Sequence, residues 1–114
     1  AYPFTAGVAI NAKDIVVISA SGNSVETTAA ANSNLALGIA VNSVSAGQTV
    51  WVALNGILRG VTAASAVAVG NRVCTSATAG WVDNCTTAAA SIGKALTGAT
   101  AAGDQFTVVL WNGN

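Results

Sequence analysis

An all-β fold is predicted for this chain, a small single-domain β-barrel or sandwich with an internal pseudo-two-fold repeat. Three observations predict it. Short β-branched runs recur between turn-forming clusters, helical periodicity is scarce, and one strand-turn-strand pattern occurs twice. At 114 residues the chain has room for one domain and one thin core.

Residues 1–13 come first. Ala1-Tyr2-Pro3-Phe4 has no basic n-region and no apolar h-region, so no signal peptide is visible, and a previously cleaved one would leave the same start. Pro3 lacks the N–H that regular pairing uses, and Tyr2 and Phe4 find no apolar partner nearby in sequence. The segment is predicted to be an extended N-terminal arm, its first six residues ordered on assembly. Residues 14–114 form the β domain. Ile15-Val16-Val17-Ile18 is β-branched throughout and reads as a strand, closed by the turn cluster Ala20-Ser21-Gly22-Asn23. Gln48 to Leu54 alternates apolar and other residues and stops at Asn55-Gly56; Gln105 to Trp111 reads the same way. The Ala-rich stretches 28–31, 63–68 and 86–90 fit loops or single helical turns.

The repeat organises these pieces. Leu37-Gly38-Ile39-Ala40-Val41, Ala46-Gly47-Gln48 and Val50 to Leu54 make one copy. Ile92-Gly93-Lys94-Ala95-Leu96, Ala102-Gly103-Asp104 and Phe106 to Leu110 make the other. Upstream, Val25-Glu26 with Thr27-Thr28 echoes Val82-Asp83 with Thr86-Thr87. Two pseudo-equivalent halves, near 15–58 and 72–111, are expected to complete one core. Gly38 and Gly93 sit inside strands, where glycine marks a bulge or a close backbone approach. Gln48 and Asp104, each after a glycine, read as turn residues.

Aligned copies also tell inside from outside. Val50, Val52 and Leu54 match Phe106, Val108 and Leu110, so that face is the core face. The alternate positions vary in character, and Trp51 and Trp111 lie among them. Trp81 precedes Val82 as Ser24 precedes Val25, so it too falls on the variable side. Outward tryptophans are candidate interface anchors, unless loops or the arm cover them within the monomer. Tyr2, Pro3, Phe4, Trp51, Trp81 and Trp111 are therefore the candidate interface residues.

Composition narrows the function. Only 7% of residues are charged and the net charge is zero, so no basic patch exists to displace counterions from nucleic acid. Near-neutral subunits also lack the repulsion that keeps copies apart. No run approaches the roughly 18 apolar residues that cross a bilayer as a helix. Without histidine, Ser-His and Cys-His nucleophile pairs and the commonest metal ligands are missing. Gly56 and Gly60 are followed by Val61 and Thr62, not by the Lys of a phosphate loop. No enzyme activity, cofactor or metal is expected.

Cys74 and Cys85 fit either one disulfide or two buried small hydrophobes. Read as a hairpin turning at Ala79-Gly80, the segment sets 74 opposite 85, 75 opposite 84 and 76 opposite 83. Opposed Cα atoms at a non-hydrogen-bonded site lie about 4.5 Å apart, within disulfide reach. Synthesis in a reducing cytosol would argue for free thiols until release.

Several segments carry a family resemblance: Leu37 to Val41, Ala46 to Val50, Asn55-Gly56-Ile57-Leu58, Val67 to Val73, Ile92 to Leu96 and Ala101 to Leu110. Over roughly residues 14–111 the chain resembles the tailed-phage capsid cement, or head decoration, proteins. In that family a strand ends in Gly-Ile/Val-Ala, an Ala-Gly turn follows, and a Val-x-Val-x-Leu strand closes each unit. The tryptophans and the cysteine pair depart from this pattern. The resemblance implies a homotrimer made in the host cytoplasm that joins the outer surface of an assembled head. There it would clamp neighbouring subunits of the major capsid protein. Two other readings stay open on composition: a subunit of a secreted fibre or pilus, and a carbohydrate-binding module stacking sugars on its tryptophans.

Overall fold

The computed structural model describes residues 1–20 and 22–111; Ser21, in the predicted turn cluster, and 112–114, the end of the predicted domain, lie outside them. The described chain holds ten strands: β1 Tyr2–Thr5, β2 Ile15–Ile18, β3 Val25–Glu26, β4 Ala36–Ala40, β5 Thr49–Ala53, β6 Gly56–Thr62, β7 Arg72–Thr75, β8 Val82–Asn84, β9 Gly93–Ala95 and β10 Gln105–Leu110. Of the Ala-rich stretches, 86–90 contributes a single 3₁₀ turn, Ala88–Ala90. The strands form two antiparallel five-stranded sheets, in the orders β1-β5-β4-β2-β3 and β6-β10-β9-β7-β8. Adding five to every label of the first order gives the second.

Pairing details also match between the sheets. Tyr2 lies opposite Val52 as Leu58 lies opposite Val108, and Ile39 opposite Ala53 as Lys94 opposite Val109. A parallel bridge from Ala6 to Val25 links the two edges of the first sheet, and one from Ala63 to Val82 does so in the second. Turn glycines match as well. Gly47 and Gly103 have φ of 88° and 89°, and their N–H groups donate to Ala6 and Ala63. Only glycine enters that region without steric strain. Gln48 and Asp104 close these turns: Gln48 Oε1 accepts from the Ser45 N–H, and Asp104 Oδ2 from those of Thr100 and Ala101.

Alternation places the core. Val50, Val52, Phe106 and Val108 are buried on the inner faces, as their phase requires, and Trp51 points outward. The expectation of one shared core is corrected. Ala6, Ile10, Val16, Val25, Ala40, Val50 and Val52 fill the first sheet. A larger cluster fills the second and takes in Ile15, Ile39 and Ala53 from the first. Because the edge bridges curl each sheet, each encloses its own cluster. The successive residues Ile15 and Val16 then point into different clusters, which is why β2 is apolar on both faces.

Two further details differ from the sequence reading. Residues 2–5 are extended, but they pair with β5 as the edge strand of the first sheet, Pro3 opposite Trp51. An edge strand accommodates proline because only one side of its ladder is used. The β7–β8 hairpin pairs Cys74 with Asp83 and Thr75 with Val82, two residues away from the expected register. The turn is at Ala79-Gly80 as expected, with the Trp81 N–H on the Thr78 carbonyl and Gly80 at φ 82°. Pairing nevertheless stops at Thr75, because the Ser76 hydroxyl bonds the carbonyl oxygens of Thr78 and Trp81.

The two sheets are also tied by polar contacts. Ile15 N–H donates to Gly80 O at 3.0 Å. The loop before β4 grips the second sheet: Thr75 Oγ1 donates to Ala30 O, Ser33 N–H donates to Thr75 Oγ1, and Asn32 Oδ1 accepts from Thr86 N–H. Asn32 holds φ 56° to make this contact, a conformation asparagine tolerates better than most residues.

Candidate interaction surfaces

The candidate residues divide between the sheets. Tyr2, Pro3, Phe4 and Trp51 belong to the first; Trp81 and Trp111 flank strands of the second. Pro3 and Trp51 are cross-strand neighbours, and Val41 extends their row across β4 by donating its N–H to Trp51 O at 2.8 Å. Trp51 is 45% exposed and Val41 40%. Asn42 Oδ1 accepts from the Trp51 N–H, fixing the backbone behind the ring. On the same strand as Pro3, Phe4 turns the other way and packs against the first cluster. It is half-buried, so its role is in part structural.

The outer face of the second sheet carries a different row. Ile57, Val109, Lys94 and Arg72 lie side by side across β6, β10, β9 and β7. Trp111 follows β10 on the same face. Arg72 Cζ and Lys94 Nζ each lie 5.8 Å from its ring centroid, close enough for a cation–π contact. Arg72 also donates to Ser91 Oγ at 3.3 Å. These two cations explain why Trp111 is half-buried and not fully outward. Trp81 is half-buried too, held at the β7–β8 turn.

Three carboxylates are engaged locally. Asp14 Oδ2 accepts from the Asn11 N–H, and burial raises its pKa above the usual carboxylate value. Asp83 accepts from the Ser65 hydroxyl and the Asn84 N–H. The Thr100 hydroxyl, with the backbone N–H groups of Thr100 and Ala101, holds Asp104 below the ordinary value. Among the described residues no group of three or more His, Cys, Asp or Glu is placed to hold a metal. Nor, among the described residues, is any helix long and apolar enough to cross a membrane.

Cys74 and Cys85 are joined as a disulfide with Cα atoms 5.1 Å apart. The shifted register places Cys85 beside Arg72, whose carbonyl accepts its N–H, so the bridge runs diagonally across the hairpin. Sequence reasoning did not single out Val41, Ile57, Leu96, Leu37 or Leu54. Ile57 is 62% exposed, and Leu37 and Leu54 are half-buried. The alternation marks Leu54 as a core position, and it does pack against the first cluster, but no second sheet covers it and it stays partly open.

The β framework thus presents two outward rows, the apolar Pro3–Trp51–Val41 on the first sheet and the row bearing Lys94 and Arg72 on the second. The sequence profile of the family described as "Phage cement protein" matches residues 1–110, and the chain belongs to that family of structural phage-head proteins. No curated protein matches the chain. Among solved structures, it is similar to the crystal structure of the N base of head fibre gp8.5 in bacteriophage phi29, with TM-score 0.68 and 21% identity. The match covers 99% of this chain and 94% of that one, and it supports the fold.

Proposed function

We propose that the chain binds the outer surface of an assembled phage head as a homotrimer and holds neighbouring major capsid protein subunits together, a non-catalytic role. The observation that carries this reading is the outward apolar row Pro3–Trp51–Val41 on a molecule with a filled interior and no net charge. Large apolar side chains in water gain by being covered, and tryptophan is among the commonest anchors of such contacts. Family membership supplies the phage head as the place of contact.

The test uses heads assembled without this chain. Purified protein is added, and uptake and resistance to heat-induced genome release are measured. Saturable binding in multiples of three, with release moved to higher temperature, is the expected result. Heads that sediment without the protein would sink the reading.

The disulfide belongs to the same proposal. On released particles Cys74 and Cys85 are expected to be oxidised, closing a short loop worth about 2–3 kcal/mol. Alkylation of unreduced protein followed by intact mass should add no label. Two labels would show free thiols.

A further inference from the structure

The internal contact between the two sheets shows what kind of surface covers one end of such a sheet. In the second sheet, Leu58, Ile92 and Leu110 are 8%, 7% and 3% exposed, and they share a cluster with Ile15, Ile39 and Ala53 of the first. The covering residues form one cross-strand row, Ile15 opposite Ile39 and Ile39 opposite Ala53. The row is uncharged, with small or β-branched side chains.

The first sheet has the same end without the cover. By register, Tyr2 stands where Leu58 stands, since each lies opposite the matching valine of its neighbour strand. Leu37 precedes Gly38 as Ile92 precedes Gly93, and Leu54 follows Val52 by two residues as Leu110 follows Val108. Tyr2 is 62% exposed, and Leu37 and Leu54 are half-buried.

A second copy stacked head to tail would have to bring up its own matching row. That row reads Arg72, Lys94, Val109 in place of Ile15, Ile39, Ala53. Two cations in a dry contact with leucine and tyrosine are strongly unfavourable. The charged row thus ends the stacking, as a polar cap ends a repeat array.

We infer that the Tyr2–Leu37–Leu54 end docks an uncharged sheet face of another phage-head protein, one presenting small and β-branched residues in a cross-strand row. The inference rests on the proposed function and deepens it by naming the end that binds and the chemistry it meets.

The experiment compares Tyr2→Lys, Leu54→Lys and Val69→Lys with wild type for binding to heads lacking the protein. Tyr2 is exposed enough that its variant keeps the fold even if the Leu54 variant does not, and thermal melting checks both. Tyr2→Lys and Leu54→Lys are expected to weaken binding about tenfold or more, the scale of an interface anchor, while Val69→Lys, at a 67% exposed loop position, binds as wild type does. Light scattering gives the mass of each free protein. Folded Tyr2→Lys that binds heads like wild type overturns the inference and leaves the functional reading standing. A free oligomer that Tyr2→Lys breaks into smaller species also overturns it, because the end is then covered by another copy. Heads that take up no wild-type protein overturn both.

Discussion

Gly93→Ala is expected to destabilise the protein by about 3 kcal/mol or more, the upper range for forcing an atom into a packed site. A Cβ at this position would collide with the Val109 carbonyl oxygen, with Val109 C at 2.9 Å and Leu110 Cα at 3.0 Å. All three are backbone atoms of the adjacent strand β10, so no side chain can swing aside. Relief requires β9 and β10 to separate, and that opens the ladder pairs Leu110–Gly93 and Val109–Lys94 together. Gly38 meets the same obstacle at the Ala53 carbonyl and should behave alike. Gly103→Ala is the control. Its φ of 89° strains any side chain, yet nothing lies within 4 Å, so about 1 kcal/mol is expected. At about 4 °C per kcal/mol, the Gly93 variant should melt more than about 10 °C below wild type and the Gly103 variant only a few degrees below. Equal losses at the two sites would show that backbone conformation, and not close approach, governs Gly93.

Local pattern carried much of this fold. The phase of Val50–Val52 and Phe106–Val108 follows from alternation alone, because period two leaves a single choice of inner face. At Gly38 and Gly93 a bulge or a close backbone approach was legible from a glycine inside a strand, and the structure shows the close approach. Side-chain hydrogen bonds outside the alternation were not legible. The Ser76 hydroxyl ends β7 early and moves the cysteine hairpin by two residues, and nothing in Val73 to Cys85 announces it. Pro3 argued locally against pairing, but an edge position removes the objection, and edge positions are a property of the whole sheet. The division into two clusters depends on the bridges Ala6–Val25 and Ala63–Val82, contacts between residues far apart in sequence. As for the interaction surfaces, the aromatic candidates were visible by residue type. Leu37 and Leu54 were not, because in sequence they match Ile92 and Leu110, which are buried.

That difference between matched positions is tested most directly at Ile39. The side chain is fully buried between Ile15 and Ala53, in the contact that joins the first sheet to the second. Its counterpart in the second sheet is Lys94, exposed beside Trp111. Ile39→Lys copies into the first sheet what the second already carries. Its ammonium would lie in an apolar cluster with Leu58, Ile92 and Leu110. An uncompensated buried charge, together with the lost isoleucine contacts, is expected to remove about 4 kcal/mol or more. Against a total of roughly 5–15 kcal/mol for a domain, that removes about a quarter of the stability or more. The reciprocal Lys94→Ile change removes an exposed charge and should shift stability by no more than about 0.5 kcal/mol. Urea denaturation of both variants measures the contrast. If Ile39→Lys unfolds within about 1 kcal/mol of wild type, the sheets are not held together by a dry contact, and the internal template for the docking end is lost with it.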